Sequence, residues 1–423
     1  MKLVVDKTDT ISGEAEIPAS KSHTIRAVVF ASLAEGTSIL TYPLESEDTK
    51  SAINACINLG AKINKKDKKI EITGFAGVPD VINDKIDTLN SGTTTNIISS
   101  VAALCDKTIN IDGDESIRRR PIQPLLDAIN NLGAKAISLK NNGCPPLQIK
   151  GRLKGGKTEL DCKSSQYLTS LLITAPLLSQ DTRITVKNIC EKPYIDMTLS
   201  WLDELGIQYE NRNYDTFIIH RNQKYKAFQK QIPSDWSSAT FLLVAGVMAG
   251  KDLIIKGLDL TDTQADKEVL SYLLKMGADI KLKENEIIIN KSELQGFELD
   301  LNNTPDALPA MSVLGCYAKG KTTLKNVAHA RIKETDRIKV MASELSKMGA
   351  NIKELPDGLL ILHSRLKGCE VNGYNDHRVV MALSLAGMIA SNKTIIDTQE
   401  AINVTFPSYI ELMNSLGTSF AIV

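Results

Sequence analysis

The stretch Asn58-Leu59-Gly60-Ala61-Lys62-Ile63 decides the fold, because close variants of it return five more times along the chain. In each copy an amphipathic run ends at a glycine, and an apolar, β-branched stretch follows. This order is typical of a helix, a left-handed glycine cap and a strand. The glycines recur about every 70 residues, a period that predicts six copies of one structural unit. They are Gly60, Gly133, Gly206, Gly277, Gly349 and Gly417.

A second sequence feature recurs with the same period. It is a polar turn followed by a strand rich in Thr, Ile and Val. The turns fall at Gly36, Asp106-Lys107, Asp181, Gly250-Lys251, Gly320 and Asn392. Each unit therefore contains two helices and several short strands, which is too little chain to bury a core alone. We expect two lobes of three units each, with the crossover in the polar stretch 222–233. A continuous solenoid of six units is the alternative, and the lack of distinct terminal caps counts against it.

Composition excludes several classes of protein. The 423 residues include 50 Lys+Arg and 50 Asp+Glu, with only 5% aromatic residues, whereas a nucleic-acid binder needs a basic surface and stacking rings. The longest apolar runs, residues 241–250 and 379–390, are shorter than the roughly 18 residues of a membrane span. The apolar run in residues 1–6 is too short for a secretory signal, which predicts a cytoplasmic protein. The seven cysteines lack any CxxC spacing, which predicts reduced thiols and no metal site.

Polar and charged residues fall at two fixed phases of the repeat, and both phases open a helix. About 40 residues before each repeat glycine lie segments rich in N-cap residues. They are Lys21-Ser22, Asn90-Ser91-Gly92-Thr93, Ser164-Ser165-Gln166, Asp235-Trp236-Ser237-Ser238, Pro305-Asp306 and Asn375-Asp376-His377-Arg378. The second helix of each unit is expected to open at Glu47-Asp48, Arg120-Pro121, Pro193-Tyr194, Asp262-Thr263, Lys333-Glu334 and Val404-Thr405. Pro121 is expected at the first helical position.

Cations concentrate at these helix starts, although the helix dipole disfavours them there by about 0.3–1 kcal/mol unless an anion offsets them. They are Lys21, Arg26, Arg118, Arg119, Arg120, Lys333, Arg337 and Arg378. If equivalent units point their helix starts the same way, the two lobes face each other across a cleft of positive potential. The sequence therefore predicts a site for phosphate and carboxylate groups in that cleft. Each segment alone is also typical of an ordinary cap or an exposed ion pair, but their shared phase favours one common site.

The same segments resemble the motifs of the 5-enolpyruvylshikimate-3-phosphate (EPSP) synthase family over essentially the whole chain. The matching motifs are Pro18-Ala19-Ser20-Lys21-Ser22 with Arg26, Asn90-Ser91-Gly92-Thr93, Arg120-Pro121, Ser164-Ser165-Gln166-Tyr167-Leu168-Thr169, Lys192-Pro193-Tyr194-Ile195-Asp196, Pro305-Asp306-Ala307, Arg331-Ile332-Lys333-Glu334-Thr335-Asp336-Arg337 and Tyr374-Asn375-Asp376-His377-Arg378. The resemblance implies an α/β (α+β) fold, a two-lobed inside-out α/β barrel of six βαβαββ repeats with three per lobe. Residues 14–230 would form the N-terminal lobe, and residues 1–13 and 231–423 the C-terminal lobe.

The resemblance also implies an activity. It is transfer of the enolpyruvyl group of phosphoenolpyruvate to the 5-hydroxyl of shikimate 3-phosphate, with release of phosphate. The shikimate pathway of aromatic amino-acid biosynthesis uses this step. No metal or organic cofactor takes part. The implied partners are these two small molecules, without nucleic acid or membrane, and we expect a monomer.

By motif position, the resemblance implies two sets of binding residues. Shikimate 3-phosphate would be held by Lys21, Ser22, Arg26, Ser164, Ser165, Gln166, Tyr194, Asp306 and Lys333. Phosphoenolpyruvate would be held by Lys21, Gly92, Arg120, Gln166, Arg337 and Arg378. The reaction needs a base for the hydroxyl and a proton donor for the methylene carbon. We expect Asp306 to be the base, Glu334 the donor and Lys21 the group that stabilises developing charge.

Four positions depart from the family pattern. Asn96 replaces an arginine, Glu191 a phosphate-contacting serine, His329 an asparagine and Val404 a lysine, so the contribution of these positions to binding is open. Two alternative functions remain. The sister family transfers enolpyruvyl to UDP-N-acetylglucosamine and typically carries a reactive cysteine where this chain has Glu115. A non-catalytic anion-binding protein of the same fold is the other, and the paired acids Asp306 and Glu334 argue against it.

Overall fold

The computed structural model describes residues 1–284 and 286–423. Its α-helices are α1 (Lys21–Leu33), α2 (Glu47–Asn58), α3 (Gly92–Ala102), α4 (Gln123–Asn131), α5 (Ser165–Thr174), α6 (Lys192–Glu204), α7 (Trp236–Ala249), α8 (Glu268–Lys275), α9 (Leu308–Tyr317), α10 (Arg337–Lys347), α11 (His377–Ile389) and α12 (Tyr409–Ser415). Short 3₁₀ helices cover Ile117–Arg119, Ala175–Leu177, Ala265–Lys267, Pro305–Ala307, Ala328–Ile332 and Gln399–Val404.

The strands of the described residues are short. They are β1 (Leu3–Val5), β2 (Glu14–Glu16), β3 (Thr37–Thr41), β4 (Lys62–Lys66), β5 (Lys69–Thr73), β6 (Lys85–Asp87), β7 (Thr108–Asp112), β8 (Lys135–Ser138), β9 (Leu147–Lys150), β10 (Gly156–Asp161), β11 (Thr182–Lys187), β12 (Tyr209–Arg212), β13 (Thr216–Ile219), β14 (Gln229–Gln231), β15 (Leu253–Lys256), β16 (Asp279–Lys283), β17 (Glu286–Asn290), β18 (Glu298–Asp300), β19 (Lys321–Lys325), β20 (Asn351–Leu355), β21 (Gly358–Leu362), β22 (Glu370–Val371), β23 (Thr394–Ile396) and β24 (Phe420–Ile422).

The strands form six four-stranded sheets within the described parts of the chain, which matches the six predicted repeats. All six have one design: a parallel edge pair, then two antiparallel neighbours. In one sheet β10 pairs in parallel with β11 (Gly156↔Thr182), β11 pairs antiparallel with β13 (Thr182↔Ile219), and β13 pairs antiparallel with β12. In four of the sheets a helix connects the two parallel strands, whereas the parallel partners β2 with β15 and β3 with β14 are far apart in the sequence. In each sheet a second helix precedes the next antiparallel strand. The α/β class and the βαβαββ repeat are therefore confirmed.

The repeat glycines end their helices as the sequence predicts. All six adopt positive φ, between 72° and 109°, a conformation that L-residues with a side chain rarely adopt. Gly60 is also required for steric reasons, because a Cβ at this position would lie 2.5 Å from the carbonyl oxygen of Asp80. The predicted polar turns also precede strands β3, β7, β11, β15, β19 and β23.

The chain divides into two compact units. The N-terminal unit is Ala19–Ile232, and the C-terminal unit combines Met1–Pro18 with Pro233–Val423. The chain passes from one unit to the other after Pro18 and after Ile232. The resemblance implies lobe boundaries after residues 13 and 230. The strands beside the crossings explain the position: β2 pairs with β15 of the C-terminal unit, and β14 pairs with β3 of the N-terminal unit. Each unit therefore contains three complete sheets.

Three almost entirely buried helices form the core of each unit. They are α1, α3 and α5 in the N-terminal unit, and α7, α9 and α11 in the C-terminal unit. The C-terminal helices carry glycines where they approach their sheets. A Cβ on Gly246 would lie 2.9 Å from Ile289 Cγ2, and one on Gly387 would lie 2.8 Å from Val5 Cγ1. Removing the side chain lets helix and sheet pack this closely.

Four predicted starts of second helices are wrong. Helices α8, α10 and α12 begin at Glu268, Arg337 and Tyr409, later than the segments at residues 262, 333 and 404 predict, and α4 is the fourth. Helix α4 begins at Gln123, so Pro121 is not at its first position. The residue before a proline is biased towards extended backbone, and Arg120 accordingly has φ −79° and ψ 125°. The extended Arg120-Pro121 step delays the helix. Along residues 1–284 and 286–423, no helix is long and apolar enough to cross a membrane.

The close approach of α7 to its sheet predicts the cost of adding a side chain there. Gly246→Val should lower the free energy of unfolding by about 1–3 kcal/mol, because the added atoms collide with Ile289 and Leu253. Urea unfolding midpoints measure this. Ser346→Val, on the exposed surface of α10, is the control for a β-branched residue in a helix and should change the midpoint little. Equal midpoints for wild type and Gly246→Val would contradict the packing argument.

Candidate active site

Arg26 joins three helices at one end of the N-terminal unit. It is a buried residue of α1, with 2% exposure. Its guanidinium donates to the hydroxyl of Thr198 (3.0 Å) and the carbonyl of Tyr194 (3.0 Å) on α6, and to the hydroxyl of Thr169 (3.4 Å) on α5. Burial lowers the pKa of Arg26 to about 10 by disfavouring the charged form. The arginine that the resemblance assigns to shikimate 3-phosphate thus also holds the starts of α1, α5 and α6 together.

Lys21, the first residue of α1, has a carboxylate partner. Its Nζ lies 3.1 Å from Oδ2 of Asp48, and both side chains are largely buried. Asp48 lies in the first turn of α2, where a negative charge is favourable. The sequence analysis did not assign Asp48 to the site. Its only signal was its place at the start of the second helix of the repeat.

Arg120 lies across the first turn of α3. Its Nη2 donates to Asn90 Oδ1 (3.2 Å) and Ser116 Oγ (3.0 Å). A Cβ on Gly92 would lie 2.5 Å from Arg120 Nη1, so the glycine makes room for the guanidinium. Arg118 instead pairs with Asp112 on the surface, at 2.7 Å.

Gln166 connects α5 to α3. Its Nε2 donates to Thr93 Oγ1 (3.2 Å), and its Oε1 accepts from Asn96 Nδ2 (2.7 Å). Asn96 also donates to the carbonyl of Gly92 (2.9 Å). Where many relatives place an arginine, this chain therefore has a neutral amide that fixes the orientation of Gln166.

Glu191 meets the start of α5. Ser164 caps this helix by accepting the N–H of Gln166 (3.4 Å). Oε2 of Glu191 accepts both the N–H of Ser165 (3.2 Å) and its hydroxyl (2.7 Å). Burial raises the pKa of the adjacent Cys162 thiol to about 12, and the negative charge of Glu191 adds to the effect. Ser165, which the resemblance assigns to shikimate 3-phosphate, thus already bonds to a carboxylate.

In the C-terminal unit, Arg337 organises a group of acids that we call the carboxylate cluster: Asp266, Asp306, Glu334 and Asp376. Arg337 is 1% exposed. It donates to Asp306 (2.7 Å), Glu334 (2.7 Å) and Asp376 (2.8 Å). Burial opposes its charge, but the three carboxylates outweigh burial and keep the pKa of Arg337 well above its usual value. The guanidinium holds the proposed base and proton donor in fixed positions.

Asp306 also contacts Arg378, whose Nη2 lies 2.9 Å from Asp306 Oδ2. Each oxygen of Asp306 therefore accepts from a different arginine. Asp376 caps α11 by accepting the N–H of Arg378 (2.9 Å). The anions that offset these helix-start arginines are thus protein carboxylates. Each oxygen of Asp306 has a second lone pair, so the carboxylate can still accept a proton from a substrate.

Asp266 belongs to the same cluster, and the sequence analysis missed it. It is buried in the 3₁₀ helix Ala265–Lys267, and its Oδ2 accepts the hydroxyl of Ser237. Burial and the charge of Asp306 raise the pKa of Asp266 to about 7, although Arg378 acts in the opposite direction. In the sequence it is one acid among many, and only folding brings it to Asp306 and Arg378.

Three further positions from the sequence analysis are Lys333, an assigned binding residue, and the departures His329 and Val404. Lys333 is partly exposed and follows the 3₁₀ helix Ala328–Ile332. His329, within that helix, is buried. Val404 is buried at the end of the 3₁₀ helix Gln399–Val404.

The raised pKa of Asp266 predicts a pH-dependent stability. The native state holds this proton up to about pH 7, whereas an unfolded aspartate loses it near pH 4. The stabilising effect is therefore complete below pH 4 and is lost as the pH rises through 7. In the wild type, this effect should lower the free energy of unfolding by an amount on the order of 2–3 kcal/mol between pH 5 and pH 8, and Asp266→Asn should remove that decrease.

Urea unfolding midpoints at pH 5 and pH 8 measure this difference. Asp279→Asn, which removes an exposed carboxylate from β16, should behave like the wild type. If Asp266→Asn also keeps the full fall between pH 5 and pH 8, Asp266 does not carry the proton.

Comparison with known proteins relates this geometry to a family. The family model described as EPSP synthase (3-phosphoshikimate 1-carboxyvinyltransferase) matches residues 5–413. The 3-phosphoshikimate 1-carboxyvinyltransferase of Acetivibrio thermocellus is 53% identical over 410 residues, covering 97% of each chain. That of Ruminiclostridium cellulolyticum is 48% identical over 423 residues, covering 100% of both chains. The solved structure of EPSP synthase from Acinetobacter baumannii aligns over 100% of both chains, with a TM-score of 0.83 and 25% identity. The resemblance is therefore confirmed, and the chain belongs to the EPSP synthase family.

Proposed function

We propose that this chain transfers the enolpyruvyl group of phosphoenolpyruvate to the 5-hydroxyl of shikimate 3-phosphate and releases inorganic phosphate. The observation that carries the proposal is full-length identity of 53% and 48% to proteins named for this reaction. The side chains suit the chemistry. Lysine, arginine, hydroxyl and amide groups at the helix starts of the N-terminal unit are suited to anions, and the C-terminal unit supplies carboxylates that can move protons.

Binding is assigned by motif position and charge. For shikimate 3-phosphate we propose Lys21, Ser22, Arg26, Ser164, Ser165, Gln166, Tyr194, Asp306 and Lys333. For phosphoenolpyruvate we propose Lys21, Gly92, Arg120, Gln166, Arg337 and Arg378. The contact of Arg120 with the start of α3 supports this choice, because a guanidinium and helix N–H groups together favour a carboxylate or phosphate.

In the proposed reaction, Asp306 takes the proton of the 5-hydroxyl of shikimate 3-phosphate. The oxygen of that hydroxyl bonds to C2 of phosphoenolpyruvate in the same step. Glu334 gives a proton to the methylene carbon, which becomes a methyl group in a tetrahedral intermediate. Glu334 then takes a proton back from the methyl group, which restores the double bond as the C2–O bond to phosphate breaks, and the phosphate leaves with the proton held by Asp306. Lys21 stabilises the charge that develops. When the substrate carboxylate pairs with Arg378, the contact of Arg378 with Asp306 weakens, which makes that oxygen of Asp306 a stronger base.

The partners of this reaction are two small molecules. We expect the protein to work as a cytoplasmic monomer without metal or organic cofactor. The residues assigned to catalysis come from both units, Lys21 from one and Asp306 with Glu334 from the other. In the proposed reaction, Lys21 stabilises charge, and Asp306 and Glu334 transfer protons.

The experiment that tests the proposed function is an assay of phosphate release from phosphoenolpyruvate. We expect turnover with shikimate 3-phosphate, and none with UDP-N-acetylglucosamine or with phosphoenolpyruvate alone. Turnover with the nucleotide sugar would favour the sister activity, which Glu115 argues against because that family typically uses a cysteine there. Binding of shikimate 3-phosphate without turnover in any arm would favour a non-catalytic protein.

The assigned roles predict the effects of two substitutions. Asp306→Asn should lower kcat by about 100-fold or more, because a general base contributes roughly 10²–10⁴ to the rate. Lys21→Met should lower kcat by a comparable factor of about 100 through loss of a positioned charge. Steady-state kinetics in both substrates and urea unfolding separate loss of catalysis from loss of fold. Lys157→Met removes an exposed lysine from β10 and should keep the wild-type rate. A folded Asp306→Asn variant with near-normal kcat would reject Asp306 as the base.

A further inference from the structure

A buried carboxylate lies where the proposed function requires a phosphate. Oε2 of Glu191 accepts the N–H of Ser165 at 3.2 Å and the hydroxyl of Ser165 at 2.7 Å. Ser165 is the first residue of α5, so its N–H has no acceptor within the helix. The resemblance assigns Ser165 to the binding of shikimate 3-phosphate, whose phosphate is the group that such donors suit.

The start of α5 suits an anion for three reasons that act together. A free N–H group and a hydroxyl both point at one oxygen, and the positive end of the helix dipole lies behind them. Glu191 is 2% exposed, so its carboxylate is kept away from water and these donors stabilise it. Glu191 therefore behaves as a bound anion that belongs to the chain itself.

The backbone at Glu191 is consistent with a residue held for this contact. Its φ of 56° and ψ of 44° are left-handed, which few residues other than glycine adopt. Glu191 is the N-cap of α6, but its side chain makes no capping bond to that helix. The carboxylate reaches across to α5 instead. Local propensity favours neither the left-handed backbone nor a glutamate side chain that leaves its own helix uncapped. The bonds to Ser165 account for the direction of the side chain.

We infer that the Glu191 carboxylate occupies the phosphate position at α5 in the free protein, and that the 3-phosphate of shikimate 3-phosphate must displace it to bind. The inference rests on the proposed function. Two anions cannot share the same two donors, and like charges at this distance repel. Glu191 is therefore an internal competitor that weakens the apparent affinity for the phosphorylated substrate, because only the displaced state is competent to bind.

The test compares the affinity of Glu191→Gln and Glu191→Ser for shikimate 3-phosphate with that of the wild type, by calorimetry without phosphoenolpyruvate. Glutamine removes the charge at nearly constant size, and serine removes both charge and reach. We expect both variants to bind at least tenfold more tightly than the wild type. Glu204→Gln removes a carboxylate from the other end of α6 and should leave the affinity unchanged. Urea unfolding of each variant confirms that it is folded.

Other outcomes overturn the inference in distinguishable ways. Equal affinity in folded variants would mean that the phosphate binds away from Ser165. Weaker binding in both would mean that Glu191 is a contact for the substrate and not its competitor. If the wild type, both variants and the control all fail to bind shikimate 3-phosphate, and phosphate release is absent, the proposed function fails and the inference fails with it. Binding and turnover by the wild type with unchanged affinity in the variants would remove only the inference.

Discussion

The structure depends on the need to satisfy the first turns of six buried helices. The first N–H groups of a helix have no acceptor within its backbone, so a residue before the helix or another group has to supply one. This chain places a polar residue before five of these helices, and each accepts a backbone N–H. These residues are Ser20, Ser91, Ser164, Asp235 and Asp376. Polar groups required for folding thus gather at the same helix ends that the proposed reaction uses.

The two units meet this need with different groups. In the N-terminal unit, hydroxyl and amide groups combine with Lys21, Arg26 and Arg120, which favours bound anions. In the C-terminal unit, the carboxylate cluster surrounds Arg337 and Arg378, so the positive charges are neutralised within the protein. This difference suits a division of labour in which one unit binds phosphate groups and the other moves protons. It also means that substrate binding has to replace existing ion pairs and hydrogen bonds.

The repeat, the starts of the buried core helices and the glycine caps could be predicted because they depend on residues close together in sequence. Gly60 and its five counterparts end their helices through local geometry, and Ser164 caps α5 through the adjacent residues. The contacts that distinguish this site join distant residues. Lys21 meets Asp48, Ser165 meets Glu191, and Ser237 meets Asp266 only through packing between helices. No spacing rule connects these pairs, and the strand partners of β2 and β14 were hidden for the same reason.

The central claim is that the polar starts of buried helices in the N-terminal unit receive the anionic groups of the substrate. Amide hydrogen exchange with and without shikimate 3-phosphate tests it most directly, because the N–H groups of a first turn have no helical bond and exchange more readily than the turns that follow. The account predicts slower exchange at Ser165, at Gln166 and in the first turn of α1 when the ligand is added. Unchanged exchange at these amides, with protection elsewhere in the chain, would contradict it.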